Sequence, residues 1–487
     1  MTDDDAFDAA VRAVREEIDP GPEERDRLSA TAAELVERAE DAVADLDADA
    51  DVILVGSTAR KTWIKGDRDI DVFVRFPPEI DRETLEEYGL RVGNEVLPDG
   101  HEEYAEHPYV TGEYDGFDVD LVPCYDVPAA TEIQSAVDRT PFHTEYLRER
   151  LDDDSAADVR LAKQFLKGIG AYGSDLRTRG FSGYLTELLV LEYGDFRGFV
   201  EAAADWNPPV RLDPENHGAR ETASPSRNDE GGTADLAFDD PLVVIDPTDP
   251  ERNVAAVLSA DNLARLQHYA RELLDDPRSD LFFPSEPTPL SADDVRAHIA
   301  ERGTTPVAVR FDAPDIVEDQ LYPQLRKSLS GVTDELDRRG FDVLRATTFA
   351  NDDDAVLFAE LAVAERPAVE RHEGPPVHLR QHATGFYEKY ADNGRQSDSE
   401  SRDGQSSGRF GPPYGPFVDG DRYVAERRRE HATAAGFLES DALFDGGLGV
   451  TVEDALREEY DVLVGDDVAA LAEAFGVELA RYFSPRP

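Results

Sequence analysis

Residues 56–76 read GSTARKTWIKGDRDIDVFVRF, a stretch that joins a glycine turn to an apolar run interrupted by two acids. Asp69 and Asp71 stand inside that apolar run, where a β-strand should bury its side chains. Because residues two apart on a strand face the same side of the sheet, their carboxylates would lie close together and repel each other. The pattern therefore predicts a strand that holds a positively charged species between Asp69 and Asp71.

A further acidic pair stands in another apolar run, FDVDLVP, where Asp118 and Asp120 alternate with apolar residues of a predicted strand. Carboxylates from two strands at one edge of a sheet would bind two Mg²⁺ ions, which prefer oxygen ligands. Two such ions can activate an attacking hydroxyl and stabilise a departing pyrophosphate. The turn at Gly56 and Ser57 opens a predicted helix, whose backbone N–H groups suit a triphosphate. Together these features predict nucleotidyl transfer, with either Asp118 or Asp120 as the third ligand.

The chain is strongly acidic: 50 Lys and Arg stand against 106 Asp and Glu, a net charge of -56 over 487 residues. Hydrophobic residues make up 40% and acids occur in every segment, which argues against disorder and favours the solvated surface of a halophile's protein. At about 1 M salt the Debye length is ~3 Å, so diffuse self-repulsion nearly vanishes. The single cysteine, Cys124, excludes an intrachain disulfide and a Cys-rich zinc site. Without an apolar leader or a run of transmembrane length, the sequence predicts a soluble cytoplasmic protein.

The pattern along the chain predicts an α+β, multidomain protein. Helical periodicity is clear over 6–18 and 22–46, and again over 143–200 beyond the predicted strands. Towards the C-terminus, a strand–helix–strand–strand order suits a small α+β sandwich. Two stretches, about 213–235 and about 393–408, are rich in Asn, Gly, Ser and charged residues without apolar periodicity. They are predicted to be flexible insertions, the first of them acidic.

At the level of whole motifs the chain resembles a known family. GSTARKTWIKGDRDIDVF is similar to the signature of the polymerase-β-like nucleotidyltransferases, and the chain most resembles the archaeal (class I) CCA-adding enzymes, which are tRNA nucleotidyltransferases. The likeness continues through HPYVTGEYDGFDVDLVPCYDV, LAKQFLKGIGAYG, DPLVVIDPTDPERNVAAVLS and GPPVHLRQHATGFYEKY, and stops at the two insertions. It implies a nucleotidyltransferase head with a mixed sheet over 1–142, a helical central nucleotide-binding domain over 143–260, and a C-terminal α+β tRNA-binding body and tail over 261–487.

The resemblance also implies roles for individual residues. Asp69, Asp71 and Asp120 would be the catalytic carboxylates that hold the metal, with Asp69 in place of the glutamate often found there in the family. The implied nucleotide contacts are Ser57 and Arg60 at the phosphates, Thr140, His143, Lys163 and Tyr172 around the triphosphate and ribose, and Arg252 at the base. Several also have an ordinary structural interpretation: Thr140 as a helix cap, His143 as a core histidine and Lys163 as an amphipathic side chain.

The family further implies the reaction and its partners. C, C and A would be added in order to the tRNA 3′ end from CTP and ATP, with two Mg²⁺ ions and without a nucleic-acid template. The tRNA would be held by its acceptor stem and T arm, for which Arg326, Lys327, Arg380 and residues 427–429 are candidate contacts, and a homodimer is implied. Two alternatives stay open: a poly(A) polymerase-like nucleotidyltransferase that uses ATP alone, and a non-catalytic RNA-binding protein whose acids hold structural cations.

Overall fold

A computed structural model describes residues 3–217, 238–392 and 414–487 of the chain. The predicted insertion at 393–408, and the part of the insertion at 213–235 beyond residue 217, lie outside the described residues. The chain divides into two compact units, Met1–Ser285 and Glu286–Arg486. The finer division into three domains stays a prediction.

The first unit combines a five-stranded sheet with a group of helices. Its elements in chain order are α1 (Asp3–Ile18), α2 (Pro22–Ala44), β1 (Asp51–Leu54), α3 (Gly56–Arg60), β2 (Asp69–Phe76), α4 (Arg82–Val96), β3 (His101–Tyr104), β4 (Pro108–Tyr114), β5 (Phe117–Tyr125), α5 (Thr140–Arg148), α6 (Asp153–Gly168), α7 (Gly183–Tyr193), α8 (Phe196–Asp205), β6 (Val210–Leu212), β7 (Leu242–Val244) and α9 (Ala260–Asp275). The sheet order is β1-β2-β5-β4-β3. Because β2 and β5 are parallel while the other pairs are antiparallel, the sheet is mixed, as predicted.

Strand β2 owes its place in this sheet to its alternating side chains. Ile70, Val72 and Val74 are buried in one core with Leu35 of α2 and Leu85 of α4. Full burial of such a side chain contributes ~1.5–3 kcal/mol, so this face must lie against the helices. The acids of the same strand are thereby turned to the opposite face.

The helices after the sheet share a second core. Phe165 of α6 packs against Phe196 of α8 and against Phe282, with ring centroids 6.0 Å and 5.3 Å away. Helix α6 begins with a capping box in which Asp152 and Ser155 satisfy each other's backbone N–H groups. Its middle is buried on nearly every side, from Ala156 to Leu166. A charged side chain in this part of α6 therefore needs a partner inside the protein.

The second unit is an α+β body with two smaller sheets. Its elements are α10 (Ala292–Arg302), β8 (Thr305–Asp312), α11 (Glu318–Arg338), β9 (Val343–Ala350), β10 (Asp354–Leu361), β11 (Val369–Pro376), α12 (Arg380–Asp392), β12 (Tyr414–Asp419), β13 (Arg422–Arg428), α13 (Ala434–Leu438), α14 (Val450–Glu458), β14 (Asp461–Val464) and α15 (Ala472–Phe483). One antiparallel sheet has the order β14-β8-β10-β9 and the other the order β11-β13-β12. The predicted strand–helix–strand–strand order is found in β8, α11, β9 and β10.

Both faces of the four-stranded sheet are covered. Val307 and Val309 of β8 pack with Leu325 of α11, while Ala308 between them packs with Leu479 of α15 on the opposite face. This alternation produces the predicted sandwich and confirms the α+β class. No helix in the described ranges is long and apolar enough to cross a membrane.

Two of the candidate RNA contacts are already engaged within this unit. Arg427 and Arg429 both pair with Glu370, at 2.6 Å and 3.0 Å. Their role in RNA binding stays a prediction.

Candidate active site

The parallel pairing of β2 with β5 brings the predicted carboxylates together. The register sets Asp71 opposite Asp120 and Asp69 opposite Asp118. Paired residues of neighbouring strands face the same side, so these side chains form one acidic face. Asp71 and Asp120 are half-buried, whereas Asp69 and Asp118 are exposed. The register therefore places Asp120, rather than Asp118, beside Asp71.

Burial and repulsion between neighbouring acids raise the pKa values of the carboxylates on this acidic face. Burial, and then the charges of Asp120 and Asp69, raise the pKa of Asp71 to about 6. Burial and neighbouring acids also raise the pKa of Asp69. Burial raises the pKa of Asp120 against a hydrogen bond with Thr111. In the described part of the chain, no basic side chain forms an ion pair with Asp69, Asp71 or Asp120.

The donor set of this face suits a divalent cation. Its ligands are carboxylate oxygens, which hard cations such as Mg²⁺ prefer, and the charges of Lys167 and Arg60 offset only part of the repulsion at Asp69 and Asp71. Among the described residues, no group of three or more His, Cys, Asp or Glu side chains is already arranged to hold a metal ion. The three-aspartate ligand set therefore stays a prediction, with Asp71 and Asp120 as the pair that the register supports most directly.

The turn before Ser57 lies against the carboxylate of Asp71 and the backbone of Asp69. Gly56 has a φ of +70°, in the left-handed region that favours glycine. A Cβ at this position would overlap the carboxylate of Asp71. Thr58 Oγ1 donates to the carbonyl oxygen of Asp69 at 2.7 Å, which ties α3 to β2. The half-buried Ser57 is thereby held at the start of a single helical turn beside the acidic face.

Two of the predicted phosphate contacts meet at one buried carboxylate, Glu187 of α7. The Nε of Arg60 lies 3.1 Å from each carboxylate oxygen, and Lys163 Nζ lies 3.5 Å from Oε1. Thr62 completes the cluster by donating to Glu187 and accepting from Lys163. The side chains of Arg60 and Lys163 are only 9% and 4% exposed, and that of Glu187 is fully buried. One carboxylate therefore serves two basic side chains, and burial lowers the pKa of Lys163 against the charge of Glu187.

Two other predicted contacts meet at a second buried carboxylate, Asp246. His143 Nε2 lies 2.9 Å from Asp246 Oδ2, and Arg252 Nη1 donates to the same oxygen at 2.7 Å. Tyr184 donates to Oδ1 at 3.3 Å, and its ring stacks on that of His143. Burial alone would raise the pKa of Asp246, but the hydrogen bonds from His143, Thr248 and Arg252 hold this pKa well below its usual range. Asp246 is thus a buried anion at the centre of this cluster.

The remaining predicted residues, Thr140 and Tyr172, lie at the start of α5 and in an isolated bridge between α6 and α7. Thr140 is the half-buried first residue of α5, and Pro141 follows it. Tyr172 is bridged to Phe181, and the ammonium of Lys167 lies 5.5 Å from the centre of its ring. Neither position contradicts the implied nucleotide contact, and both roles stay predictions.

Comparison with known proteins identifies the family. Three family models match in order along the chain: a nucleotidyltransferase domain over 36–143, the second domain of tRNA nucleotidyltransferase over 157–283, and the C-terminal domain of the CCA-adding enzyme over 302–465. A CCA-adding enzyme from Haloarcula marismortui is 61% identical over 99% of this chain and 100% of its own length. The chain belongs to the CCA-adding enzyme family.

Further members of the family extend this likeness among the archaea. A CCA-adding enzyme from Halorubrum lacusprofundi is 59% identical over 99% of this chain and 100% of its own length. One from Methanoregula boonei is 42% identical over 96% of this chain and 94% of its own length. The predicted archaeal family and nucleotidyltransferase class are confirmed, and the haloarchaeal relatives agree with the halophilic interpretation of the acidic composition.

The CCA-adding enzyme resemblance did not reveal the two buried carboxylates. Glu187 is the acid within the apolar run LTELLVL, and Asp246 lies two residues after the end of the buried strand β7, in LVVIDP. Either context could have drawn attention to an acid that needs an internal partner. The partners themselves lie 127 and 103 residues away along the chain, at Arg60 and His143.

Proposed function

We propose that this CCA-adding enzyme extends tRNA by C, C and A in order, using CTP and ATP without a nucleic-acid template and releasing pyrophosphate at each step. The observation that supports it most directly is the register of Asp71 with Asp120 on parallel strands, beside the turn at Gly56 and Ser57. Family membership supports the tRNA substrate. The assignment of individual site residues is part of the proposal.

The sheet would position the reacting groups. Asp69 and Asp71 of β2 and Asp120 of β5 would hold two Mg²⁺ ions. When bound, such ions lower the pKa of an attacking hydroxyl and stabilise charge on the leaving group. The tRNA 3′-oxygen forms a bond to the α-phosphorus as the bond to the bridging oxygen breaks, and pyrophosphate leaves. Because strand pairing fixes the aspartates, they need little reorganisation during the reaction.

The cluster at Glu187 would receive the triphosphate. Arg60 and Lys163 share a single carboxylate partner, so an anion nearby would favour the charged form of Lys163. Ser57 would contribute its hydroxyl, and Tyr172 would line the same region. Thr140 and His143 would contact the ribose and phosphates, and Arg252 would meet the base.

The remaining parts of the proposal concern partners. The C-terminal body would bind the acceptor stem and T arm, recognising duplex RNA by shape and backbone contacts. A homodimer in the cytoplasm is the proposed form of the enzyme. Its surface chemistry suits concentrated salt, where counterion release adds little to RNA affinity.

The proposal is tested with a tRNA transcript that lacks its terminal CCA. The protein is incubated in KCl and Mg²⁺ with CTP, with ATP, or with both, and products are separated at single-nucleotide resolution. Two additions with CTP, a third when ATP is also present, and then a stop are expected. A long ladder with ATP alone, or tRNA binding without extension, would contradict the proposal.

A further inference from the structure

Asp246 has no assigned role in catalysis, yet it holds two residues proposed to contact the nucleotide. We infer that Asp246 is a positioning residue that fixes the guanidinium of Arg252 and thereby sets the preference for cytosine and adenine over uracil and guanine. This inference rests on the proposed function and deepens it. It assigns the base preference to a pair of residues instead of to Arg252 alone.

Backbone hydrogen bonds hold the segment from Asp246 to Arg252 in a tight loop. Asp246 N–H donates to the carbonyl oxygen of Arg252 at 3.0 Å, and Arg252 N–H donates to that of Asp249 at 3.0 Å. The side chains of Asp246 and Arg252 then meet at 2.7 Å. Asn253, directly after the arginine, accepts from Val244 N–H at 2.9 Å. Backbone and side-chain bonds thus leave Arg252 little freedom to move relative to Asp246.

The Asp246 carboxylate is itself locked. Thr248 donates to Oδ1 through its backbone N–H at 2.9 Å and its hydroxyl at 2.8 Å. His143 approaches Oδ2, and its ring lies 3.8 Å from that of Tyr184 at an angle of 13°. Since both oxygens are engaged and the carboxylate is fully buried, it cannot rotate without losing several hydrogen bonds. Asp246 therefore presents one fixed acceptor edge to Arg252.

Arg252 keeps donors for a ligand. The salt bridge to Asp246 uses Nη1, and the Arg252 side chain is 36% exposed. A guanidinium carries five N–H donors in a rigid plane. Fixing one corner of that plane fixes the direction of the others.

The direction of these donors matters because the four bases differ at one ring position. Cytosine N3 and adenine N1 accept hydrogen bonds, whereas uracil N3 and guanine N1 carry a hydrogen and repel a donor. A guanidinium held in place therefore favours cytosine and adenine together. A guanidinium free to turn could instead reach the carbonyl oxygens of uracil and guanine, so the preference depends on the group that holds it.

The test compares Asp246→Asn with the wild type in the first addition to a tRNA that lacks CCA. The ratio of kcat/KM for CTP to that for UTP is measured. It is expected to fall at least tenfold, equivalent to about 1.4 kcal/mol, with most of the change in KM for CTP. Asp249→Asn is the matched control, since Asp249 is buried in the same loop but pairs with Arg139 at 3.2 Å. The control should keep the wild-type ratio.

A double-mutant comparison separates positioning from general damage. Once Arg252→Ala has removed the guanidinium, adding Asp246→Asn should leave the CTP-to-UTP ratio unchanged, because nothing remains to be positioned. If Asp246→Asn does not fold, Thr248→Val removes one donor to the same carboxylate and should lower the ratio to a smaller extent. An unchanged ratio in whichever of these variants folds would overturn the inference, as would a further loss on top of Arg252→Ala. Failure of the wild type to extend the tRNA would instead refute the proposed function.

Discussion

Replacing Glu187 by glutamine tests the buried cluster that links α3 to α6 and α7. Glu187→Gln keeps the shape of the side chain but removes the negative charge shared by Arg60 and Lys163. Arg60 cannot release its proton. Burial already lowers the pKa of Lys163, against the charge of Glu187. The variant would therefore bury at least one uncompensated cation.

The expected cost follows from that imbalance. Removing one partner of a buried ion pair typically destabilises a protein by ~3–5 kcal/mol, and the contacts of Glu187 with Arg60 at 3.0 Å and Lys163 at 3.5 Å place it in this class. Lys163→Met should cost only ~1 kcal/mol, as an ordinary substitution does, because it leaves Arg60 and Glu187 balanced. Loss of the carboxylate should thus be worse than loss of the lysine.

Calorimetric unfolding between about 1 and about 3 M KCl measures this difference. The Debye length is already ~3 Å at 1 M salt, so a buried cluster should respond little to further KCl. Asp153→Asn is the control because it breaks only the ion pair with Lys61. The side chains of Asp153 and Lys61 are 83% and 73% exposed, and such a surface pair contributes little to stability. The reasoning is refuted if Glu187→Gln unfolds as the control does, or if Lys163→Met is the more destabilised variant.

Three further outcomes are expected. Asp120→Ala should abolish nucleotide addition while tRNA binding persists, and Asp118→Ala should retain addition because the register pairs Asp120 with Asp71; equal activities in a primer-extension assay would contradict this. Gly56→Ala should also lose addition without losing tRNA binding, since its Cβ would overlap the Asp71 carboxylate; full activity would show that the turn adapts. In the second unit, burial alone would raise the pKa of Glu360. The hydrogen bonds that its carboxylate accepts outweigh burial and hold this pKa below its ordinary value of 4.5. Its stabilisation is therefore present above pH 4.5 and lost as pH falls through the folded pKa, so the stability difference between wild type and Glu360→Gln should shrink on acidification; a constant difference in urea unfolding would exclude this.

Much of the fold could be predicted because its signals are local. The alternation in β2 turns Ile70 and Val72 to one face and the two acids, Asp69 and Asp71, to the other, whatever the rest of the chain does. The motif around Gly56 and the strand–helix order near the C-terminus likewise depend on neighbouring residues. Such patterns sufficed for the α+β class and for the family resemblance, and the mixed sheet was predicted only through that resemblance.

The sequence by itself determined which residues are acidic, which face of each strand they occupy and to which family the chain belongs. Only the tertiary structure decided that Asp120 lies beside Asp71, because register is a property of two strands and not of either one. It also decided which buried carboxylates pair with the basic side chains that were predicted to contact the nucleotide. Glu187 and Arg60 are 127 residues apart, and Asp246 and His143 are 103 apart. No local period encodes such pairs, since folding around the cores brings them together and burial makes each charge dependent on its partner.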